Sequence, residues 1–189
     1  RQPLEERKVT ISRAKTSMEF PARFMLVASM NPCPCGYFNH PVKTCSCAPG
    51  IVQKYLNKIS GPLLDRIDLH VEVTPVIFDE LTGSTKPESS AAIRQRVIAA
   101  RRLQEKRFHD FPGIYCNAQM NNRLLKDICL LTVTGHQLLK HAMEKLNLSA
   151  RAYERILKVS RTIADLANCV QIQPEHIAEA IQYRSLDRE

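Results

Sequence analysis

One stretch of the sequence, residues 24–38, constrains the fold more than any other. An apolar run extends from Phe24 to Met30, is followed by Asn31 and Pro32, and leads into a loop that contains cysteines. A continuous apolar run of this length is typical of a strand buried on both faces of a parallel sheet. Because ligands of such sheets bind at the carboxyl ends of the strands, we predict that Asn31 senses a bound ligand.

A second strand is predicted over residues 63–73, and it carries Arg66 near its start. Strand alternation places Arg66 and Asp68 on one face, opposite a set of apolar residues that point inward. Those apolar residues are Ile67, Leu69, Val71 and Val73. Asn31 at the end of one strand and Arg66 at the start of another together predict part of a phosphate-binding site.

The size and hydropathy of the chain are those of a water-soluble protein. Its 189 residues, 44% of them hydrophobic, suffice for one large or two small domains. No apolar stretch approaches the ~20 residues that a membrane-spanning helix needs, and no signal-peptide pattern opens the chain. We therefore expect a cytoplasmic protein that has no membrane partner.

The positive charge of the chain is concentrated in its first third. The net charge is +8, and residues 1–60 hold nine Lys and Arg against three Asp and Glu, whereas residues 61–189 hold eighteen against sixteen. Such an excess is typical of a surface that faces a polyanion. Charge alone leaves open whether that polyanion is nucleic acid or whether the chain is simply basic.

Four of the seven cysteines lie close together, as C-x-C-x9-C-x-C. Two close pairs of thiolates in a short loop, Cys33 with Cys35 and Cys45 with Cys47, match a tetrahedral structural zinc site. His40 is a substitute ligand if one cysteine points away. The alternative is four reduced thiols in a cytosolic loop, since an odd number of cysteines without secretory context argues against a disulfide framework.

The pattern before residue 74 predicts a hairpin and a helix. Residues 9–13 and 20–25 read as extended segments around a polar turn, with Arg13 and Lys15 near the tip. Apolar residues with helical spacing predict a helix over 51–59.

The remainder of the chain is predicted to be a linker over residues 75–88 followed by a helical domain over 89–189. The linker is rich in Pro, Gly, Ser and Thr. One helix begins after a Ser149 cap and another has Pro174 in its first turn. The predicted helices are a five-turn helix around 93–108, then 121–130, 134–146, 150–168 and 174–183. The inward residues of the fourth are Ile156, Leu157, Ser160, Ile163, Ala164 and Ala167.

Four stretches together make the chain resemble the Mg-chelatase-like AAA+ ATPases of the ComM/YifB type. They read KVTISRA, FPARFMLVASMNPCPCGYF, ISGPLLDRIDLHVEV and LSARAYERILKVSRTIADL. The resemblance implies the C-terminal part of an α/β nucleotide-binding domain, over 1–74, followed by a helical lid. It also implies a homo-oligomeric ring, expected to be a hexamer, that uses ATP and Mg²⁺ to move DNA.

The resemblance assigns roles to individual residues. Asn31 would be the sensor-1 residue, Arg66 an arginine finger that acts on the nucleotide of a neighbouring subunit, and Arg151 the sensor-2 arginine. The hairpin with Arg13 and Lys15 would be the pre-sensor-1 insertion that faces the pore of the ring and contacts DNA.

Without the resemblance, each of these residues has an ordinary structural explanation. Asn31 would simply end a strand, Arg66 would pair with Asp65 or Asp68, Arg151 would pair with Glu154 or Glu144, and the hairpin tip would be a solvated turn.

The chain departs from the family pattern in one respect. It contains no GxxxxGK[ST] phosphate loop, and none of its six glycines precedes a lysine. Residues 76–80, VIFDE, imitate a Walker-B strand but follow Arg66 in a linker context, so we reject them. We expect a C-terminal fragment that does not hydrolyse ATP by itself.

Two other functions are also compatible with the sequence. A zinc-stabilised nucleic-acid-binding module would explain the basic first third and the cysteine loop. The ATPase subunit of a chelatase that inserts Mg²⁺ into a porphyrin would share the motor residues.

Overall fold

The computed structural model describes residues 2–76 and 87–184 of the chain. This part forms two compact units, of which the first ends at Ile67 and the second begins at Asp68. The division therefore lies before the predicted linker, 75–88. Residues 77–86, which include nearly all of the VIFDE stretch, lie outside the described residues.

The first unit contains a β-hairpin and short helices. The amide of Ala22 donates to the carbonyl of Arg7 at the open end of the hairpin. The elements are α1 (Gln2–Glu6), β1 (Lys8–Arg13), β2 (Thr16–Pro21), α2 (Ile51–Leu56) and α3 (Gly61–Leu64). Helix α2 confirms the helix predicted over 51–59, with an earlier end.

The predicted hairpin is confirmed, but its turn is tighter than the sequence suggested. Arg13 pairs with Thr16 in the antiparallel register, so the turn consists of Ala14 and Lys15. The side chains of Ser12 and Ser17 hydrogen-bond across the strands at 2.9 Å. Polar cross-strand pairs of this kind stabilise the strands next to the turn, including residues 16–19, which the sequence predicted as part of the turn.

The strands predicted over 24–30 and 63–73 are wrong. Residues 22–50 and 65–76 contain no strand, and Met25 and Val27 are 86% and 80% exposed instead of buried. An interior strand needs hydrogen-bonded neighbours on both sides. Among the described residues β1 and β2 pair only with each other, so the apolar run finds no sheet to join.

The second predicted strand fails also because its beginning is helical. Ser60 is extended, and Pro62 lies in the first turn of α3, where its fixed φ and missing N–H are tolerated. The residues predicted to alternate inward beyond this helix are exposed, namely Leu69, Val71 and Val73.

The second unit is helical, as predicted. Each of four helices begins where a side-chain oxygen of the capping residue accepts a backbone N–H in the first turn. The capping residues are Ser89, Asn121, Thr132 and Ser149. The elements are α4 (Ser90–Arg107), a 3-10 turn (Asn117–Gln119), α5 (Asn122–Ile128), α6 (Val133–Lys145), α7 (Ala150–Leu166) and α8 (Pro174–Gln182).

Helix α7 carries much of the core of this unit. Its Ile156 and Ala164 are fully buried, together with Ile172 and Ile177. The prediction that Ile156, Leu157, Ser160 and Ala164 face inward is therefore confirmed. Ala167 is exposed instead, because the helix ends at Leu166.

Helix α4 is buried only in its second half. Ile93 and Val97 are 43% and 47% exposed, and the buried helical residues are Ala100 and Gln104, with Phe108 just beyond the end. Only the second half of the helix therefore contributes to the described core.

A side chain at Gly135 in α6 is expected to crowd the side chains of Ile177 and Thr132. A Cβ at this position would lie 2.8 Å from Ile177 Cδ1 and 3.2 Å from Thr132 Oγ1. We expect Gly135→Ala to lower the free energy of unfolding by about 1–2 kcal/mol, since overpacking outweighs the gain in helix propensity. Urea denaturation measures this loss. Gly61→Ala is the control, because a Cβ there meets nothing within 4 Å, and an equal loss in both variants would contradict the packing argument.

No helix within residues 2–76 and 87–184 is both long and apolar enough to cross a lipid bilayer.

Candidate functional site

Four cysteine sulfurs come together in the cysteine loop, residues 32–50. Cys33 Sγ lies 3.3 Å from Cys35 Sγ and 3.8 Å from Cys45 Sγ, and Cys35 Sγ lies 3.5 Å from Cys45 Sγ. With Cys47, the four ligand atoms all lie within 4.8 Å of one another. Sulfurs that bind one tetrahedral zinc at ~2.3 Å are about 3.8 Å apart. The cluster thus has the number and spacing of donors that a tetrahedral ion requires.

The backbone of the loop favours thiolates at the first cysteine pair. The Tyr37 amide bonds to the Cys35 sulfur, and this hydrogen bond lowers the pKa of Cys35 to about 5 although burial acts to raise it. Gly36 has φ +82° and donates its amide to the Cys33 carbonyl at 3.0 Å. The tight turn from Cys33 to Gly36 therefore ends on a residue that adopts positive φ without strain.

His40 is not required as a substitute ligand, because none of the four cysteines points away from the cluster. Its Nδ1 accepts the backbone N–H groups of Val42 at 3.1 Å and Lys43 at 3.0 Å. His40 therefore closes the turn at the outer end of the loop.

Arg66 is held within the first unit. Its Nη2 lies 3.0 Å from Glu5 Oε2 in α1, its Nη1 donates to the Pro62 carbonyl, and its side chain is 9% exposed. The sequence left open a pair with Asp65 or Asp68. Asp68 instead binds Arg155 at 2.8 Å. To reach a neighbouring subunit, Arg66 would have to leave Glu5.

Asn31 is exposed where the chain enters the cysteine loop. It does not end a strand, because the strand before it is not formed. The described contacts of Arg66 are with Glu5 and Pro62. The predicted meeting of Asn31 and Arg66 at one phosphate therefore stays a prediction.

Arg151 lies where the sequence placed it, in the first turn of α7. It is exposed and follows the Ser149 cap, whose Oγ accepts the Ala152 amide at 3.2 Å. Arg151 belongs to the second unit, whereas Asn31 and Arg66 belong to the first.

The hairpin tip is cationic and open to solvent. Arg13 and Lys15 are both exposed, as are the flanking residues Ser12, Ala14 and Thr16. The tip therefore offers two positive charges, Arg13 at the end of β1 and Lys15 in the turn.

Sequence reasoning missed a buried ion cluster in the second unit. The Asp165 carboxylate, 1% exposed, receives Arg107 at 2.5 Å and 2.7 Å, Arg161 at 3.1 Å and Asn117 Nδ2 at 2.8 Å. The cluster joins α4, α7 and the 3-10 turn. A signal for it existed, because Arg161 and Asp165 are four residues apart and lie on the same stripe of α7 as the buried Leu157 and Ala164.

Two family models match the chain, one on each side of residues 82–86. The model for magnesium chelatase, subunit ChlI, matches residues 1–81, and the model for the magnesium chelatase subunit ChlI C-terminal region matches residues 87–184.

Curated relatives match the whole chain but are much longer than it. The chain is 43% identical over 189 residues to competence protein ComM of Haemophilus influenzae. It is 39% identical over 193 residues to the uncharacterized protein YifB of Salmonella typhimurium and 39% identical over 191 residues to that of Escherichia coli. Each match covers 100% of this chain and 36% of the relative, so the chain spans about a third of their length.

Proposed function

Because the chain belongs to the magnesium chelatase subunit ChlI family, we propose that it is part of an AAA+ ATPase of the ComM/YifB type. This protein would assemble as a homo-oligomeric ring, a hexamer, and use ATP and Mg²⁺ to move DNA. We propose DNA as the substrate because the chain is 43% identical, along its entire length, to a relative named as a competence protein. The cationic hairpin tip is compatible with that choice.

Three side chains would act on the nucleotide. The neutral amide of Asn31 would orient the attacking water, since an amide both donates and accepts hydrogen bonds. Arg66 would act in trans and stabilise charge on the transferred phosphoryl group. Arg151 would bind a phosphate at the α7 N-terminus, where the helix dipole adds to its own charge.

The hairpin would serve as the DNA-contacting element of the ring. Arg13 and Lys15 at its tip would bind phosphates of the strand that passes through the pore. The two-residue turn would place Lys15 beyond the strands, close to Arg13 at the end of β1.

The cysteine loop would hold a structural Zn²⁺ ion. The four thiols suit zinc by their number and their spacing. Four protein ligands leave no open coordination position, so this ion would brace the loop and take no part in ATP hydrolysis.

The role of Arg66 is tested by the ATPase rate of the full-length protein. We expect Arg66→Ala to lower kcat about 10³-fold, the loss typical of an arginine finger. Glu5→Gln is expected to leave kcat unchanged or raised, because it releases the guanidinium. Arg123→Ala, at an exposed position in α5, is the control.

A structural role for Arg66 predicts a different outcome. In that case Arg66→Ala and Glu5→Gln would lower the unfolding midpoint equally and leave kcat per folded subunit unchanged, which would exclude the arginine finger. The chain by itself, which has no phosphate loop, is expected not to hydrolyse ATP.

A porphyrin chelatase is the main alternative, and the descriptions of both matching family models favour it. The two functions differ in what stimulates ATP hydrolysis by the full-length protein. DNA would stimulate a DNA motor, and a partner chelatase subunit would stimulate a chelatase.

A nucleotide-independent, zinc-stabilised nucleic-acid-binding module is the other alternative. The basic first third and the four-cysteine cluster favour it. It would bind DNA with the same affinity in the full-length protein whether or not ATP is present.

A further inference from the structure

A long part of the first unit contains no carboxylate. Neither Asp nor Glu occurs between Glu19 and Asp65, whereas four cations do, namely Arg23, Lys43, Lys54 and Lys58. Within residues 2–76 and 87–184 none of these four forms an ion pair. This stretch of the chain therefore carries four positive charges that form no ion pair with a described carboxylate.

Two of these lysines lie over tyrosine rings. Lys43 Nζ is 4.9 Å from the centre of the Tyr37 ring, and Lys58 Nζ is 5.5 Å from that of Tyr55. Tyr37 is 37% exposed, and Tyr55 is partly exposed. We call these four residues the tyrosine–lysine patch, which consists of two pairs that follow one another along the chain. Each half of the patch combines an accessible aromatic surface with an adjacent ammonium group.

The patch is held by local structure. The His40 ring packs edge-on against Tyr37 at 5.6 Å, while its Nδ1 accepts the Lys43 amide. In the second half, the Lys58 amide donates to the Tyr55 carbonyl at the end of α2. Groups that are already fixed lose little conformational entropy when they bind a ligand.

We propose that the tyrosine–lysine patch binds single-stranded nucleic acid. Tyrosine faces stack on unpaired bases, and lysines beside them attract the phosphates that connect those bases. A stretch of chain with four cations and no Asp or Glu suits a polyanion. The inference relies on the proposed function only for the choice of DNA as the polymer, and the binding itself needs neither ATP nor a ring.

The test is a fluorescence-anisotropy titration of labelled (dT)20 with the zinc-loaded chain at 50 mM salt. We expect salt-sensitive binding that weakens about tenfold for each tyrosine changed to alanine, Tyr37→Ala or Tyr55→Ala. The corresponding phenylalanine variants keep the ring and should bind within about twofold of the unmodified chain. Lys43→Ala with Lys58→Ala should reduce the salt slope by about 1.4.

Tyr153→Ala is the matched control, because Tyr153 is 38% exposed on α7 in the other unit. Its affinity should be unchanged. Circular dichroism and zinc content verify that every variant is folded. The proposal is overturned if the unmodified chain does not bind at 50 mM salt, if the double tyrosine variant binds normally, or if Tyr153→Ala loses as much affinity.

Failure of this proposal is separable from failure of the proposed function. ATP hydrolysis by the full-length protein that DNA does not stimulate would refute a DNA motor, while the affinity of the chain for (dT)20 would still report on the patch.

Discussion

Removal of metal from the cysteine loop is expected to unfold residues 32–50 while the helical unit stays folded. The loop has no strand and no helix, and its described backbone hydrogen bonds include only single turns such as Gly36 to Cys33 and His40 to Tyr37. Without a bound ion, these single turns would have to hold the four thiol groups within 4.8 Å of one another. Structural zinc contributes on the order of 10 kcal/mol to small domains, far more than these turns supply.

The measurement combines zinc content with amide hydrogen exchange. The purified chain should hold about one zinc, as a single Cys₄ site requires, and exchange across the loop should become fast after chelation or in Cys33→Ser. Cys116→Ser, outside the loop, is the control. A chain that holds no zinc, or a Cys33→Ser variant that keeps both the metal and slow exchange, would refute the zinc site.

Replacement of Asp165 by alanine is expected to destabilise the helical unit by about 3–5 kcal/mol, because it leaves Arg161 buried without a counter-charge. Arg161 is 3% exposed, and it also donates to the carbonyls of Cys169 and Val170, so it cannot turn to solvent without breaking those bonds. Urea denaturation followed by circular dichroism measures the loss. Glu144→Gln, which breaks the exposed pair with Lys140, should change stability by less than about 0.5 kcal/mol.

The same carboxylate should make the unit sensitive to acid. Burial acts to raise the pKa of Asp165, but hydrogen bonds from Arg107 and Asn117, and the charges of Arg107 and Arg161, lower it overall. A lowered pKa in the folded state stabilises the fold at pH values above the unfolded pKa. That contribution is lost as the pH falls through the folded pKa. Asp165→Asn should therefore lose less stability than the unmodified chain between pH 7 and strongly acidic pH, and equal losses would contradict this assignment.

The helices of the second unit were predictable because their signals are local. Ser149 caps α7 through an amide three residues away, and Pro174 occupies the first turn of α8. The hairpin was predictable for the same reason, since β1 and β2 are joined by two residues. The cysteine cluster was predictable from the spacing of the cysteines, because two close pairs in one short loop can come together without contacts to residues far away in sequence.

The remaining features depend on partners far away in sequence. The ion pair of Arg66 with Glu5 joins residues 61 positions apart. The periodicity of the sequence does not indicate which distant carboxylate an arginine will contact. The apolar run at 24–30 and the alternating pattern at 63–73 are typical of strands, but neither forms one. A strand in the interior of a sheet exists only when neighbouring strands are present, and the described residues supply none for these runs.

The exposed run from Phe24 to Met30 also affects how this chain behaves at high concentration. Its seven residues include no charge and no proline, and Met25 and Val27 are almost entirely in contact with water. Segments of this type readily stack with identical copies in cross-β aggregates. Precipitation of the isolated chain would begin at this segment, and a partner strand that covered it would act as a solubilising cap.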